Sequence, residues 1–147
     1  MKFYDRQQEL SELNKLLEQT RRGARMTVLT GRRRVGKTLL SLEFAKHQKY
    51  LYFFVAKKSE NLLCAEYLQD IKSSFPDTPV IGKIHSFKDV FQLLLQMAQK
   101  ERFVLIIDEF QEFYNINPAI YSEIQKLWDL NKKQSSLNVI FIGSVYS

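Results

Sequence analysis

The residue types best suited to chemistry stand between Gly31 and Thr38, where G-R-R-R-V-G-K-T fits the pattern G-x-x-x-x-G-K-[ST] at every fixed position. Glycines at these places let the backbone turn tightly and approach a polyphosphate, with successive N–H groups and a helix N-terminus facing the anion. Lys37 brings a positive charge to the terminal phosphates, and the Thr38 hydroxyl can ligate Mg²⁺. The expected cradle runs from Gly31 through Arg32, Arg33, Arg34, Val35, Gly36, Lys37 and Thr38 to Leu39.

A second constellation follows the apolar run Phe103 to Ile107, F-V-L-I-I, which passes straight into Asp108 and Glu109. Carboxylates at the carboxyl edge of a parallel sheet lie where α/β folds bind their ligands. Asp108 is therefore expected to hold Mg²⁺ through its water shell, opposite Thr38, and Glu109 to polarise an attacking water. The plain alternative is that both acids only cap the next turn, and a phosphate loop upstream in the usual chain order weighs against it. A lone aspartate would suffice for a kinase, whereas the added glutamate favours water as the acceptor, hence hydrolysis. Ser144, after Gly143 at the tip of a further apolar run, could sense the γ-phosphate or hold that water. A Gly-Ser turn after a strand is also commonplace.

These side chains need elements to position them. Met26 to Thr30 reads as a strand, and Leu39, Leu40, Leu42, Phe44 and Ala45 as a buried helix, so the glycine-rich loop has its strand, loop, helix setting. Tyr50 to Val55 reads as a strand buried on both faces. Ser59 caps a helix with Leu63, Tyr67 and Ile71 on one face. Ser86 with Asp89 reads as a capping box opening a helix through Phe91, Leu94, Leu95 and Ala98 to about Lys100. Asn117 and Pro118 start another, with Ile120, Ile124, Leu127 and Trp128 inward. Leu137 to Ile142 is a fourth strand. Upstream, Leu10, Leu13, Leu16 and Leu17 mark an amphipathic helix between Arg6 and Arg22. The rings of Phe3 and Tyr4 before it can cover an adenine face or merely staple the helix to the core.

Bulk properties narrow the class. The chain has 147 residues, 45% hydrophobic and 26% charged, an ordinary balance for one domain with its own core. No apolar run is long enough for a bilayer and the start lacks a leader's apolar stretch, so a cytoplasmic protein is expected. The single cysteine, Cys64, excludes an internal disulfide, and its apolar neighbours read as packing. His85 has no partner at metal-ligand spacing. The net charge of +6 is mostly spread over helix surfaces, and the arginines of the loop have a phosphate nearer than any nucleic acid. Nucleic acid stays open as a partner, without a groove-reading element to argue for it.

Together these pieces resemble the archaeal-type ATPases, compact AAA-like P-loop proteins. The likeness rests on F-Y-D-R-Q-Q-E-L-S-E-L at Phe3 to Leu13, the arginine-rich loop L-T-G-R-R-R-V-G-K-T, the acidic strand V-L-I-I-D-E-F-Q-E-F, and V-I-F-I-G-S near the end. It spans almost the whole chain, and the second and third blocks are the specific ones. The resemblance implies that Phe3, Tyr4 and Arg6 lie against adenine and that Ser144 is the first sensor. It also implies an α/β, three-layer P-loop NTPase fold with a mostly parallel sheet in the order 5-1-4-3-2. This chain supplies the first four strands and stops at Ser147. The fifth strand, the helical lid and the C-terminal domain would follow, so residues 1–147 read as an incomplete ATPase core whose phosphate-loop strand is an open edge for self-association. The function this implies is a Mg²⁺-dependent ATPase acting as a nucleotide-driven switch. The alternative is a nucleotide-gated module that recruits a partner or DNA with negligible hydrolysis. No arginine finger can be assigned within the chain, so a neighbouring copy would supply it. The guanine-selecting string N-K-x-D is absent, since Asn131 to Lys133 lacks the following acid, which leans to ATP.

Overall fold

The structure, a computed structural model, describes residues 24–31, 36–79 and 82–144. The expectations for Phe3, Tyr4, Arg6, the leucine helix, Arg32, Arg33, Arg34 and Val35 lie outside the described residues. The hydrophobic runs become four strands: β1 (Arg25–Gly31), β2 (Tyr50–Phe54), β3 (Val104–Asp108) and β4 (Asn138–Ser144). They form one parallel sheet in the order β1-β4-β3-β2. This is the expected order without its fifth member.

Alternation along each strand divides the core in two. On one face Val104, Ile106, Ile140 and Ile142 meet Leu40, Phe44 and Ala45 of α1 (Lys37–Ala45). On the other, Leu51, Phe53, Leu105, Ile107, Val139 and Phe141 meet α2 (Glu60–Ser74), α3 (Phe87–Met97) and α5 (Ala119–Asn131). A short α4 (Phe113–Ile116) precedes α5. The helix after β1 thus covers one face and those after β2 and β3 the other. The carboxyl ends of β1, β3 and β4 open between them, where the connections part.

Only β3 and β4 are buried along nearly their full length. The expectation that β2 is buried on both faces is corrected: it is an edge strand with Tyr50 and Phe54 exposed, because nothing among the described residues pairs beyond it. Its aromatic residues look the same in sequence whether they face a helix or solvent. Helix α1 is likewise one-sided, since Leu39 is exposed while Leu40, Phe44 and Ala45 are buried.

The helix starts follow their caps. Ser59 accepts the Leu62 N–H at 3.3 Å, a bond worth about 1 kcal/mol. Ser86 accepts the Asp89 N–H at 3.4 Å, and Asp89 reaches back to the Ser86 hydroxyl at 3.0 Å. Asn117 is extended and accepts the Ala119 N–H at 3.1 Å, so it caps α5 as expected. Glu60 does more than sit in a first turn: it accepts the Phe87 N–H at 2.8 Å and the Asn117 amide at 2.9 Å, tying the starts of three helices together. None of the described helices is long and apolar enough to cross a membrane.

Candidate functional site

The loop meets α1 through Gly36, which has φ 84° and ψ 15°. A side chain is disfavoured there, and the left-handed residue turns the chain into the first turn of α1, whose leading N–H groups have no partner within the helix. Lys37 is 8% exposed, and its ammonium donates to the carbonyl of Gly31 at 3.3 Å. It therefore spans the loop from its helix end to its strand end. Leu39 stands exposed on the first turn of α1.

The Thr38 hydroxyl donates to Oδ2 of Asp108 at 2.8 Å, across 70 positions of sequence. Asp108 is 5% exposed, and its carboxylate is filled on both sides. Oδ2 also accepts the Tyr52 hydroxyl at 2.5 Å, and Oδ1 accepts the Glu109 N–H at 2.8 Å. Tyr52 reaches it because Phe54 pairs with Asp108 in the parallel register of β2 and β3, which puts Tyr52 on the same face two residues back. Burial, then the bond to Asp108 and the charges of Asp108 and Glu109, hold the Tyr52 phenol far above its ordinary value. Tyr52 is thus a donor at any physiological pH.

Glu109 is the one non-glycine with positive φ among the described residues, at φ 57° and ψ 40°. The conformation costs on the order of 1 kcal/mol and swings the side chain off the line of β3. Oε1 accepts the Ser144 hydroxyl at 3.2 Å and Oε2 accepts the Gln111 amide at 2.5 Å. The other end of that amide accepts the Ser144 backbone N–H at 3.1 Å. Ser144 is level with Gly31 in the register of β4 and β1, so the tip of β4 lies between the loop and the acids.

Of the residues expected from sequence, the structure brings Gly31, Gly36, Lys37, Thr38, Asp108, Glu109 and Ser144 to one rim. Sequence reasoning missed Tyr52 and Gln111. The first was read only as part of an apolar strand, and the second stands in the acidic block V-L-I-I-D-E-F-Q-E-F, where only Asp108 and Glu109 were given roles. His85 binds Asn61 on the surface at 3.0 Å. Cys64 is fully buried, and burial, helped by the charges of Glu60 and Asp89, pushes its thiol up to about 12. Neither belongs to the rim.

The donors at the rim are hard oxygens, a hydroxyl and a carboxylate already in contact, which suits Mg²⁺ held by one or two protein ligands together with substrate phosphates. Among the described residues no group of three or more His, Cys, Asp or Glu could hold a metal without such help.

A family model described as an AAA domain matches residues 20–146. An uncharacterised protein of Methanocaldococcus jannaschii is 30% identical over 145 residues, which cover 99% of this chain and 30% of that protein. Among solved structures, Drosophila ORC bound to DNA is similar with a TM-score of 0.70 at 17% identity, covering 95% of this chain and 37% of that one. The Walker-type ATPase paby2304 of Pyrococcus abyssi gives 0.68 at 20% identity, over 94% and 44%. The Aeropyrum pernix ORC2 protein in its ADPNP-ADP complexes gives 0.66 at 14% identity, over 95% and 41%. At these identities the structural likeness concerns the fold. The chain spans 30% of the length of the curated relative it matches.

Proposed function

The chain belongs to the AAA domain family, and from that premise we propose that it binds ATP with Mg²⁺ and hydrolyses it to ADP and phosphate, using turnover as a conformational switch. The observation that carries this reading is the 2.8 Å contact between Thr38 and Asp108, which joins the phosphate loop to the acidic strand end. Two similar structures, an ADPNP-ADP complex and a Walker-type ATPase, point the same way.

In this reading the loop amides and Lys37 hold the β and γ phosphates, and the α1 N-terminus adds its positive end. Thr38 and Asp108 would hold Mg²⁺, which when bound would neutralise charge on the phosphate oxygens. Tyr52 and the Glu109 N–H keep the Asp108 carboxylate in one orientation. Glu109 takes a proton from water as the water oxygen attacks the terminal phosphorus and the bond to the ADP oxygen breaks. Ser144 lies against both Glu109 and the loop strand, as a γ-phosphate sensor requires. The two arginines among the described residues, Arg25 and Arg102, stand at the amino ends of β1 and β3, away from the rim. An arginine that stabilises the leaving phosphate comes from a neighbouring copy, which makes self-association part of the cycle.

The test is Glu109→Gln. A general base contributes on the order of 10²–10⁴-fold, so turnover falls by at least 100-fold while ATP still raises the melting temperature. Unchanged turnover refutes Glu109 as the base, whereas wild-type protein that binds ATP without releasing phosphate is a nucleotide-gated binding module.

A further inference from the structure

We propose that Gln111 is the positioning residue of Glu109, a two-ended clamp that fixes the carboxylate against the tip of β4. The inference rests on the reading of Glu109 as the base. A glutamate in a left-handed turn at a strand end has three side-chain torsions to settle, and a base works only if a lone pair faces the water. The carboxylate is held at both oxygens, by Gln111 Nε2 at 2.5 Å and by Ser144 Oγ at 3.2 Å. Gln111 Oε1 accepts the Ser144 N–H at 3.1 Å, which closes a ring through three residues.

The amide of Gln111 can take only one orientation in this ring. Flipped, its oxygen would face the Glu109 carboxylate and its NH₂ would face the Ser144 N–H, replacing two attractions by two repulsions. The clamp is itself anchored. The 3-10 turn Phe110–Glu112 that carries it packs through Phe110 on Phe141 of β4, with ring centroids 4.5 Å apart. The Tyr121 hydroxyl of α5 reaches the carbonyls of Phe110 and Gln111 at 3.2 and 3.0 Å. The amide lies against β4 at Gly143, where a Cβ would stand in ordinary contact, 3.5 Å from Gln111 Oε1. A movement of the β4 tip is thereby delivered to the carboxylate through one rigid group, so Gln111 couples the sensor strand to the base.

The experiment compares Gln111→Glu and Gln111→Ala with Glu109→Gln in the purified full-length protein, measuring kcat and KM for Mg-ATP together with thermal unfolding. Gln111→Glu keeps the shape but loses the donor and sets a second carboxylate against Glu109. Misorientation of a reacting group costs on the order of 10²-fold. The expected loss is therefore about 100-fold in kcat for Gln111→Glu and about 10-fold for Gln111→Ala, with KM within about twofold. A residue that merely fills space gives the reverse order, with the isosteric glutamate near wild type and alanine worse, and that order overturns the proposal. If Gln111→Glu does not fold, Gln111→Ala decides: a kcat within about twofold of wild type overturns the proposal. Loss of turnover in Glu109→Gln beside wild-type kinetics in both Gln111 variants removes the clamp alone. Wild-type turnover in Glu109→Gln removes the base assignment and the clamp with it.

Discussion

Replacing Tyr52 by Phe isolates one bond at the centre of the rim. The Asp108 carboxylate receives Thr38 and Tyr52 on one oxygen and the Glu109 N–H on the other, and it is 5% exposed. Phenylalanine keeps the ring and its packing, so the perturbation is the loss of one charge-assisted hydrogen bond that water cannot easily replace. Such bonds contribute about 1.5–3 kcal/mol. Tyr52 is only partly buried, which admits some solvent and places the expected cost near the middle of that range, at about 2 kcal/mol. For a domain of this size that is a fall in melting temperature of about 4–8 °C. The assay is thermal or urea unfolding without nucleotide, and Tyr50→Phe is the control. Tyr50 lies on the same strand and face and is 37% exposed, so its hydroxyl loses only solvent. A Tyr52→Phe protein within about 0.5 kcal/mol of wild type refutes the claim that Tyr52 holds Asp108, because surface substitutions fall in that band.

Lys37→Ala removes the charge that spans the loop. Wild-type protein at 100 times the dissociation constant of Mg-ATP gains about 2.7 kcal/mol of stability, and the variant at the same concentration shows no shift. Phe53 is fully buried and stacks on Tyr67 at 4.1 Å, so Phe53→Ala costs about 3–5 kcal/mol in urea unfolding, and a cost under 1 contradicts the core assigned to that face. Cys64 gives the pH dependence. Its folded pKa of about 12 stands above the unfolded 9.0, so the contribution is present below pH 9 and lost between 9 and 12. Cys64→Ala therefore loses less stability than wild type over that interval, and native protein at pH 8 resists a thiol reagent that reacts fully in urea.

The sheet was legible because apolar runs bounded by turn residues mark strands whatever their neighbours. Each strand lies within a residue or two of the expected bounds, and Ser59, Ser86 and Asn117 cap as their sequence contexts imply. The pairing of Thr38 with Asp108 was also legible, since a glycine-rich loop and a strand ending in acids imply a common rim. What sequence could not supply is information that exists only between strands. The exposure of β2 depends on its place at the edge, and the role of Tyr52 depends on which residue of β3 it faces. Gln111 escapes for another reason. Its reach to Ser144 follows from the left-handed turn at Glu109, and nothing in the residue types D-E-F-Q foretells positive φ at a glutamate.

The register of β1 has a consequence for synthesis of the protein on the ribosome. Arg25 to Gly31 pair with Asn138 to Ser144, so β1 leaves the exit tunnel well before this partner, which emerges only after β2 and β3. Until then the loop glycines and Lys37 are displayed on a tethered, unpaired segment, while the later elements can already close around Phe87, Phe91 and Phe103. The β1 edge thus pairs after β2 and β3 are made, and during that interval the nascent chain depends on whatever shields an unsatisfied strand from its neighbours on the polysome.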